Sequence, residues 1–170
     1  CLSGYVRIKW HILRHMEFYM ILYTFISIAI ILLDQITKIF ALHLKGSAGR
    51  ELIHGVLSLV YVENRGAAFG MLQGARIFFI VITAIVFIGG FVYFKKNPLK
   101  NALSKTAVAF VAGGALGNFI DRVFLGYVRD FICTDFISFP VFNIADCFVC
   151  VGAALFVLCI FTENRVQRHG

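Results

Sequence analysis

The chain has 170 residues, of which 60% are hydrophobic and 15% charged, with 16 Lys and Arg against nine Asp and Glu, a net charge of +7 and a mean hydropathy of +0.86. An ordinary soluble domain is only about half apolar, so the composition excludes one and names lipid as the solvent. The basic excess gathers at the ends of the apolar runs, which makes it a topology signal and not a nucleic-acid footprint.

Residues 1–16 carry Arg7, Lys9 and Arg14, show no usable motif and are expected in the cytoplasm. The first apolar run, "FYMILYTFISIAIILL" (Phe18 to Leu33), ends at Asp34. No small-x-small cleavage site follows it and "DQITKIF" continues directly, so it reads as a spanning helix and not a removable signal peptide. Loop one (Asp34 to Arg76) contains "GVLSLVYVEN" (Gly55 to Asn64), whose β-branched residues predict a strand or small sheet on the outer surface. "RGAAFG" after it predicts a Gly-bounded turn.

The second run spans Ile77 to Phe94, and the basic loop after it, with Lys95, Lys96, Lys100 and Lys105, is expected inside. The third run (Thr106 to Ile120) is weaker and holds a G-x-x-x-G at Gly113 and Gly117, a signal for close helix packing that Gly89, Gly90 and Gly152 are expected to share. Loop three (Asp121 to Pro140) is too apolar to float in water, so it is expected to lie along the interface under protein cover. The fourth run (Ile144 to Phe161) precedes Arg165 and Arg168.

The result is one membrane-embedded domain, residues 1–170, of all-α class, with helices at about 18–33, 77–94, 106–122 and 143–161 and both termini cytoplasmic. Outside lie a small β-structure in loop one and an interfacial segment in loop three. Of the five cysteines, Cys147, Cys150 and Cys159 sit on the fourth run, where Cys behaves as a small apolar residue; neither a disulfide framework nor a metal site is expected.

With this topology the unusual polar groups converge on the outer face: Asp34, Asn64 and Arg65, then Asn118, Asp121 and Arg122, then Asn143 and Asp146. Asn118 and Asp121 are three apart, as are Asn143 and Asp146, a spacing that puts an amide and a carboxylate on one helix face. An ionisable group near the membrane interior costs roughly 2.5 kcal/mol or more, so several together need partners or a purpose.

Four readings compete. A structural network would pair Asp34 with Lys38 and Asp121 with Arg122, and it explains Asp146 least, because no cation stands beside that residue. A proton relay in a carrier is disfavoured because the carboxylates cluster at one end and no inverted repeat is evident. Hydrolysis by two carboxylates needs one as general base on water and the other, protonated, to polarise the carbonyl. Serine or metal chemistry is disfavoured: His11, His15 and His169 are expected inside, and His43 and His54 lack ligand-like spacing or a G-x-S-x-G partner.

Helix geometry leaves Asp121 and Asp130 tied as the partner of Asp146. In an extended segment consecutive side chains point to opposite faces, so Arg129 does not hold Asp130 ionised as Arg122 would hold Asp121, which tilts the choice to Asp130. Asp135 in "CTDFISFP" reads as a solvated loop residue.

"DQITK" (Asp34 to Lys38), "NRGAAFG" (Asn64 to Gly70), "GGALGNFIDRVFLGYVRDF" (Gly113 to Phe131) and "FNIADCFVCVG" (Phe142 to Gly152) resemble, in order and spacing, the bacterial lipoprotein signal peptidases, or signal peptidase II. The resemblance covers Asp34 to Gly152 and leaves out the segment before Met16. It implies a four-helix inner-membrane aspartic protease without cofactor, with an outer β-structure and an interfacial helix in loop three. Such an enzyme cuts prolipoproteins before the diacylglyceryl-modified cysteine.

It further implies Asp130 and Asp146 as the catalytic pair, and Asp34, Lys38, Asn64, Gly66, Asn118, Asp121, Arg122, Asn143 and Ala145 as supporting or substrate-binding positions. The implied partners are prolipoprotein substrates and membrane lipid, with no nucleic acid, and the chain is expected to be a monomer. Arg129 departs from the apolar residue usual in the family, and Cys147 from a small hydroxyl residue; neither is expected to touch the pair, and Arg129 is expected to alter lipid or substrate contacts.

Overall fold

A bilayer leaves the backbone no hydrogen-bond partner but itself, so each apolar run folds as a helix. The computed structural model describes residues 2–66, 71–99 and 101–169, with side chains from Tyr19 to Thr162 within those ranges. Its helices are α1 (Leu2–Ala41), α2 (Arg76–Lys96), α3 (Ala102–Phe124) and α4 (Ile144–His169); its strands are β1 (Arg50–Ile53), β2 (Leu57–Asn64) and β3 (Val128–Thr134). Four stretches are long and apolar enough to cross a membrane: Tyr19–Leu44, Arg76–Lys96, Ala102–Phe124 and Ile144–Thr162. The basic side chains before Met16 and after Thr162, Lys100, and the Ala67–Gly70 part of the expected turn lie outside the described residues.

The first helix does not stop at Asp34. It runs on to Ala41 and ends in a 3-10 turn at Leu42–Leu44. Lys38 lies one turn beyond Asp34 with its Nζ 2.8 Å from the carboxylate, so the acid is neutralised within its own helix.

α3, the least apolar span, is the helix against which α1, α2 and α4 all pack. Asn101 caps its start, its side chain accepting the Ser104 N–H at 2.6 Å. Its last carbonyls are met at the other end: the N–H groups of Leu125 and Gly126 both donate to the Asp121 carbonyl, and Gly126 takes φ +84° to turn the chain into β3. From α2, Arg76 donates to the carbonyls of Arg122 and Val123 at 2.8 and 2.6 Å.

Glycines let the helices touch. A methyl group at Gly114 would fall inside the contact radius of the Ala145 carbonyl oxygen and 2.8 Å from Val149 Cγ2 on α4. Gly113 and Gly117 face Ile30 and Asp34 of α1 in the same way, and Gly152 faces α3. Gly89 and Gly90 do not behave as expected: nothing of the chain lies within 4 Å of a methyl at Gly89, and only the edge of the Phe94 ring approaches one at Gly90. α2 buries no residue.

The three strands form an antiparallel sheet in the order β1-β2-β3. Loop one supplies two strands; loop three supplies the third, with Val62 opposite Asp130 and Glu63 opposite Arg129. Loop three is thus a strand where the family resemblance implied an interfacial helix, because its "VRDFICT" completes the ladder that β2 leaves open. Beyond β3 the chain doubles back, and Phe142 exchanges backbone hydrogen bonds with Ile132 at 2.8 and 3.0 Å, which brings the start of α4 against β3.

Overpacking of this kind costs about 1–3 kcal/mol, or very roughly 2–10 °C in a domain of this size. Gly114→Ala is therefore expected to lower the thermal midpoint in detergent by several degrees and Gly89→Ala to leave it within about a degree; equal effects would contradict the assigned packing.

Candidate active site

The last helix begins with a reciprocal cap. Asn143, the residue before α4, accepts the Asp146 N–H on Oδ1 at 3.0 Å, and Asp146 Oδ2 accepts the Asn143 N–H at 3.1 Å. This is the capping-box arrangement with Asn and Asp in the two roles. Asn143 therefore sits just outside the helix face on which the spacing had placed it, and the same bonds that start α4 orient Asp146.

Asp130 arrives from β3. Alternation turns the Arg129 side chain toward α3 and α1 and the Asp130 side chain the other way. The carboxylate of Asp130, 2% exposed, accepts from Asn143 Nδ2 on Oδ1 at 2.6 Å and from Asn64 Nδ2 on Oδ2 at 2.8 Å. Asn64 reaches it from β2 and is held by the Gly66 N–H on its own Oδ1 at 3.0 Å. Asp146 Oδ1 accepts from Asn118 Nδ2 at 2.7 Å. All four carboxylate oxygens thus receive an N–H, and Asn143 serves both acids. Burial pushes the Asp130 carboxyl up to about 6; the charge of Asp146 adds to this, and the amides of Asn64 and Asn143 oppose it.

Beneath the two acids lies a second polar layer, fully enclosed. Lys38 Nζ stands 2.8 Å from Asp34 and 3.4 Å from Asp121, and donates to Asn118 Oδ1 at 2.9 Å. Asp121 takes both forks of Arg129, at 3.1 and 2.6 Å, and the Arg129 N–H at 3.0 Å. Asp34 accepts the Ala145 N–H at 3.0 Å, which ties α1 to the first turn of α4. Gln35, which the sequence did not single out, donates to Asp121 and the Gly117 carbonyl and accepts from Arg129. The available signal was its place in "DQITK", between Asp34 and Lys38.

Two expectations change here. Asp121 pairs with Arg129 and Lys38, not with Arg122, whose guanidinium instead lies 4.7 Å from the Phe79 ring and donates at 3.4 Å to the carbonyls of Asn118 and Gly66. Adjacent helix positions point about 100° apart, so Arg122 faces away from Asp121. Arg129 is 7% exposed and meets neither lipid nor substrate space; its departure from the family pattern is absorbed by Asp121.

Asp130 and Asp146 open together into a cavity of about 380 Å³ bounded by Asn64, Asn118 and Arg122 and, on its apolar side, by Phe139, Pro140 and Phe142. Cys147 and Cys150 also line it. A mostly apolar cleft with one buried acid, one half-buried acid and one cation suits a lipid-bearing chain with a single polar bond to be cut. The remaining polar residues stay apart from it: Asp135 lies in an exposed turn bonded to Ser58, and His43 and His54 are exposed.

Residues 26–162 match the family described as Signal peptidase (SPase) II. A lipoprotein signal peptidase of Enterococcus faecalis is 43% identical over 152 residues, covering 89% of this chain and 94% of the relative; one of Halalkalibacterium halodurans is 40% identical over 150 residues, covering 86% and 96%. A bacterial membrane enzyme solved by the in meso method at 2.3 Å superposes with a TM-score of 0.79 at 33% identity, over 87% of this chain and 92% of that one. A second, at 1.9 Å, gives 0.73 at 38% identity, over 81% and 91%. With four membrane-length helices and two acids at one cleft, this chain belongs to the signal peptidase II family.

Proposed function

We propose that the chain is an aspartic endopeptidase that removes signal peptides from prolipoproteins by cutting before the diacylglyceryl-modified cysteine. The observation that carries the reading is Asn143, which bonds Asp130 and Asp146 at once and so holds two carboxylates on one cleft. The lipid-modified precursor stays in the bilayer, and a cleft walled by Phe139, Pro140 and Phe142 on one side and by acids on the other receives both its acyl chains and its scissile bond.

In this reading Asp130 holds the proton, in keeping with its raised carboxyl, and presents it to the scissile carbonyl oxygen. Asp146 takes a proton from water as the water oxygen bonds to the carbonyl carbon. The tetrahedral gem-diol then breaks its C–N bond as Asp146 returns that proton to the amine nitrogen and one of the two hydroxyls returns its proton to Asp130, which restores the starting protonation of both acids. The products are a signal peptide ending in a new carboxylate and a lipidated cysteine with a free amine. Arg122, on the same cleft and without an ion pair among the described residues, is available to hold substrate carbonyls.

The lysines at 95, 96, 100 and 105 put the α2–α3 connection in the cytoplasm, and the sheet and cleft then face outward at the bacterial inner membrane, with both termini inside. The two acids sit at a helix start and in a strand outside the spans, the level at which water reaches a lipid-bound chain.

Asp130→Asn or Asp146→Asn, inserted normally, is expected to cut turnover of a lipidated precursor peptide by about a hundredfold or more, with wild-type cleavage indifferent to a chelator. Asp121→Asn is expected to lower the thermal midpoint and to cost less turnover. A dead but stably folded Asp121→Asn beside an active Asp130→Asn would mean that the pair is wrongly assigned.

The raised Asp130 carboxyl also sets the sign of a stability effect. Between the ordinary carboxyl value near 4 and about 6 the folded chain keeps a proton that the unfolded chain has released. Stability therefore falls as pH rises through that window, by an amount on the order of 3 kcal/mol. Thermal midpoints are expected to drop from pH 4.5 to 7 and to drop less in Asp130→Asn; equal slopes would return Asp130 to an ordinary value.

A further inference from the structure

We propose that Lys38 is a positioning residue that fixes which way the Asn118 amide points, and so sets how the two acids share their protons. The inference rests on the dyad reading above and adds to it a residue that makes no hydrogen bond or ion pair with Asp130 or Asp146 among the described residues and does not line the cleft.

An amide side chain has a donor end and an acceptor end of nearly equal shape, so only its partners decide its orientation. Lys38 is fully buried, and a lysine ammonium is a donor alone. It donates to Asn118 Oδ1 and stands in ion-pair range of Asp34 and Asp121. The oxygen of Asn118 therefore has to face Lys38, and its NH2 has to face Asp146, 2.7 Å away. The same oxygen accepts from Asn143 Nδ2 at 3.1 Å, and that NH2 spends its second hydrogen on Asp130 at 2.6 Å. The cation thus orders Asn118 directly and adds to the orientation of Asn143, whose oxygen the Asp146 N–H already holds at 3.0 Å, and each amide presents N–H to a different acid. Turned the other way, either amide would put a carbonyl oxygen against a carboxylate, which only the protonated acid could satisfy.

The charged and titratable groups around Asn118 and Asp146 come from every neighbouring element. α1 brings Asp34 and Lys38, and α3 brings Asp121 and Arg122. β3 brings Asp130 and Arg129, and α4 brings Cys147 and Cys150. Asp34 and Asp121 are matched by Lys38 and Arg129, and Asn118 is an uncharged bridge from this layer to Asp146.

The direct test is Asn118→Asp, which keeps an oxygen toward Lys38 and Asn143 and replaces the N–H facing Asp146 with a second oxygen. The pH–rate profile belongs to the coupled pair. Losing a donor to the ionised form is expected to move its acid limb to higher pH by about one unit, with kcat lowered and KM for the precursor within about twofold of wild type. Asn118→Leu, which loses the donor without adding charge, is expected to move the acid limb in the same direction but less.

A second pair of variants reads the lysine itself. Lys38→Arg keeps a donor in place and is expected to retain the wild-type limbs. Lys38→Met made together with Asp34→Asn removes the ion pair without leaving a lone charge and is expected to shift them. Limbs that coincide with wild type in the folded Asn118 variants, or that coincide between the two Lys38 variants, overturn the proposal, whatever the loss in kcat. Asp130→Asn and Asp146→Asn run alongside keep the outcomes apart: if those two are active the dyad reading fails, and if they are dead while the limbs stay fixed only the amide ordering fails.

Discussion

Charge removed from water has to be cancelled where it sits, and in this chain that cancellation is done by two acids and two bases from three elements: Asp34 and Lys38 on α1, Asp121 on α3 and Arg129 on β3. The four sum to zero. Breaking such a buried set by removing one member costs about 3–5 kcal/mol, and a lipid surround offers no water to soften the loss. Because the members lie on separate elements, the ion set also registers those elements: β3 hangs from α3 through Arg129, and α4 joins α1 through Asp34 and the Ala145 N–H. The position of both cleft acids follows from those two ties.

The division between the layers is one of protonation chemistry. Below, each carboxylate faces a cation. Above, Asp130 and Asp146 receive only neutral N–H donors, from three asparagines and one backbone group. Neutral donors steer a carboxyl group without fixing its charge, which is what a pair that must trade a proton requires. Asparagine is well suited to the contact, being short, polar and uncharged at any working pH.

Much of this architecture is legible from the residue pattern. The apolar runs locate the helices because bilayer thickness sets their length, and "LSLVYVEN" reveals β2 because β-branched residues cluster in it. Alternation correctly separates Asp130 from Arg129. The extent of α1 was not legible, since charge at Asp34 marks a boundary in an apolar run even though Lys38 lies one turn later, close enough to cancel it within the helix. Nor was the partner of Asp121, because Arg122 is its neighbour in sequence while Arg129 becomes its neighbour only when β3 folds back. β1, "RELI", has four exposed residues and no alternation to read, and it exists because β2 has an edge to offer. The cleft's thiols stayed hidden for a related reason: a cysteine in an apolar helix looks the same whether it faces lipid or a cavity.

The pairing of Asp34 with Lys38 inside one helix has a consequence for biosynthesis. α1 is made before α2 and α3, and the acid that Lys38 also contacts, Asp121, follows only after two more apolar runs have left the ribosome. Had Lys38 depended on Asp121 alone, the nascent segment would have had to cross into the bilayer bearing a bare ammonium and a bare carboxylate. Placed a turn apart, the two discharge each other locally, and the segment partitions as a neutral dipole. Later helices then enlist groups that have already been made safe for lipid.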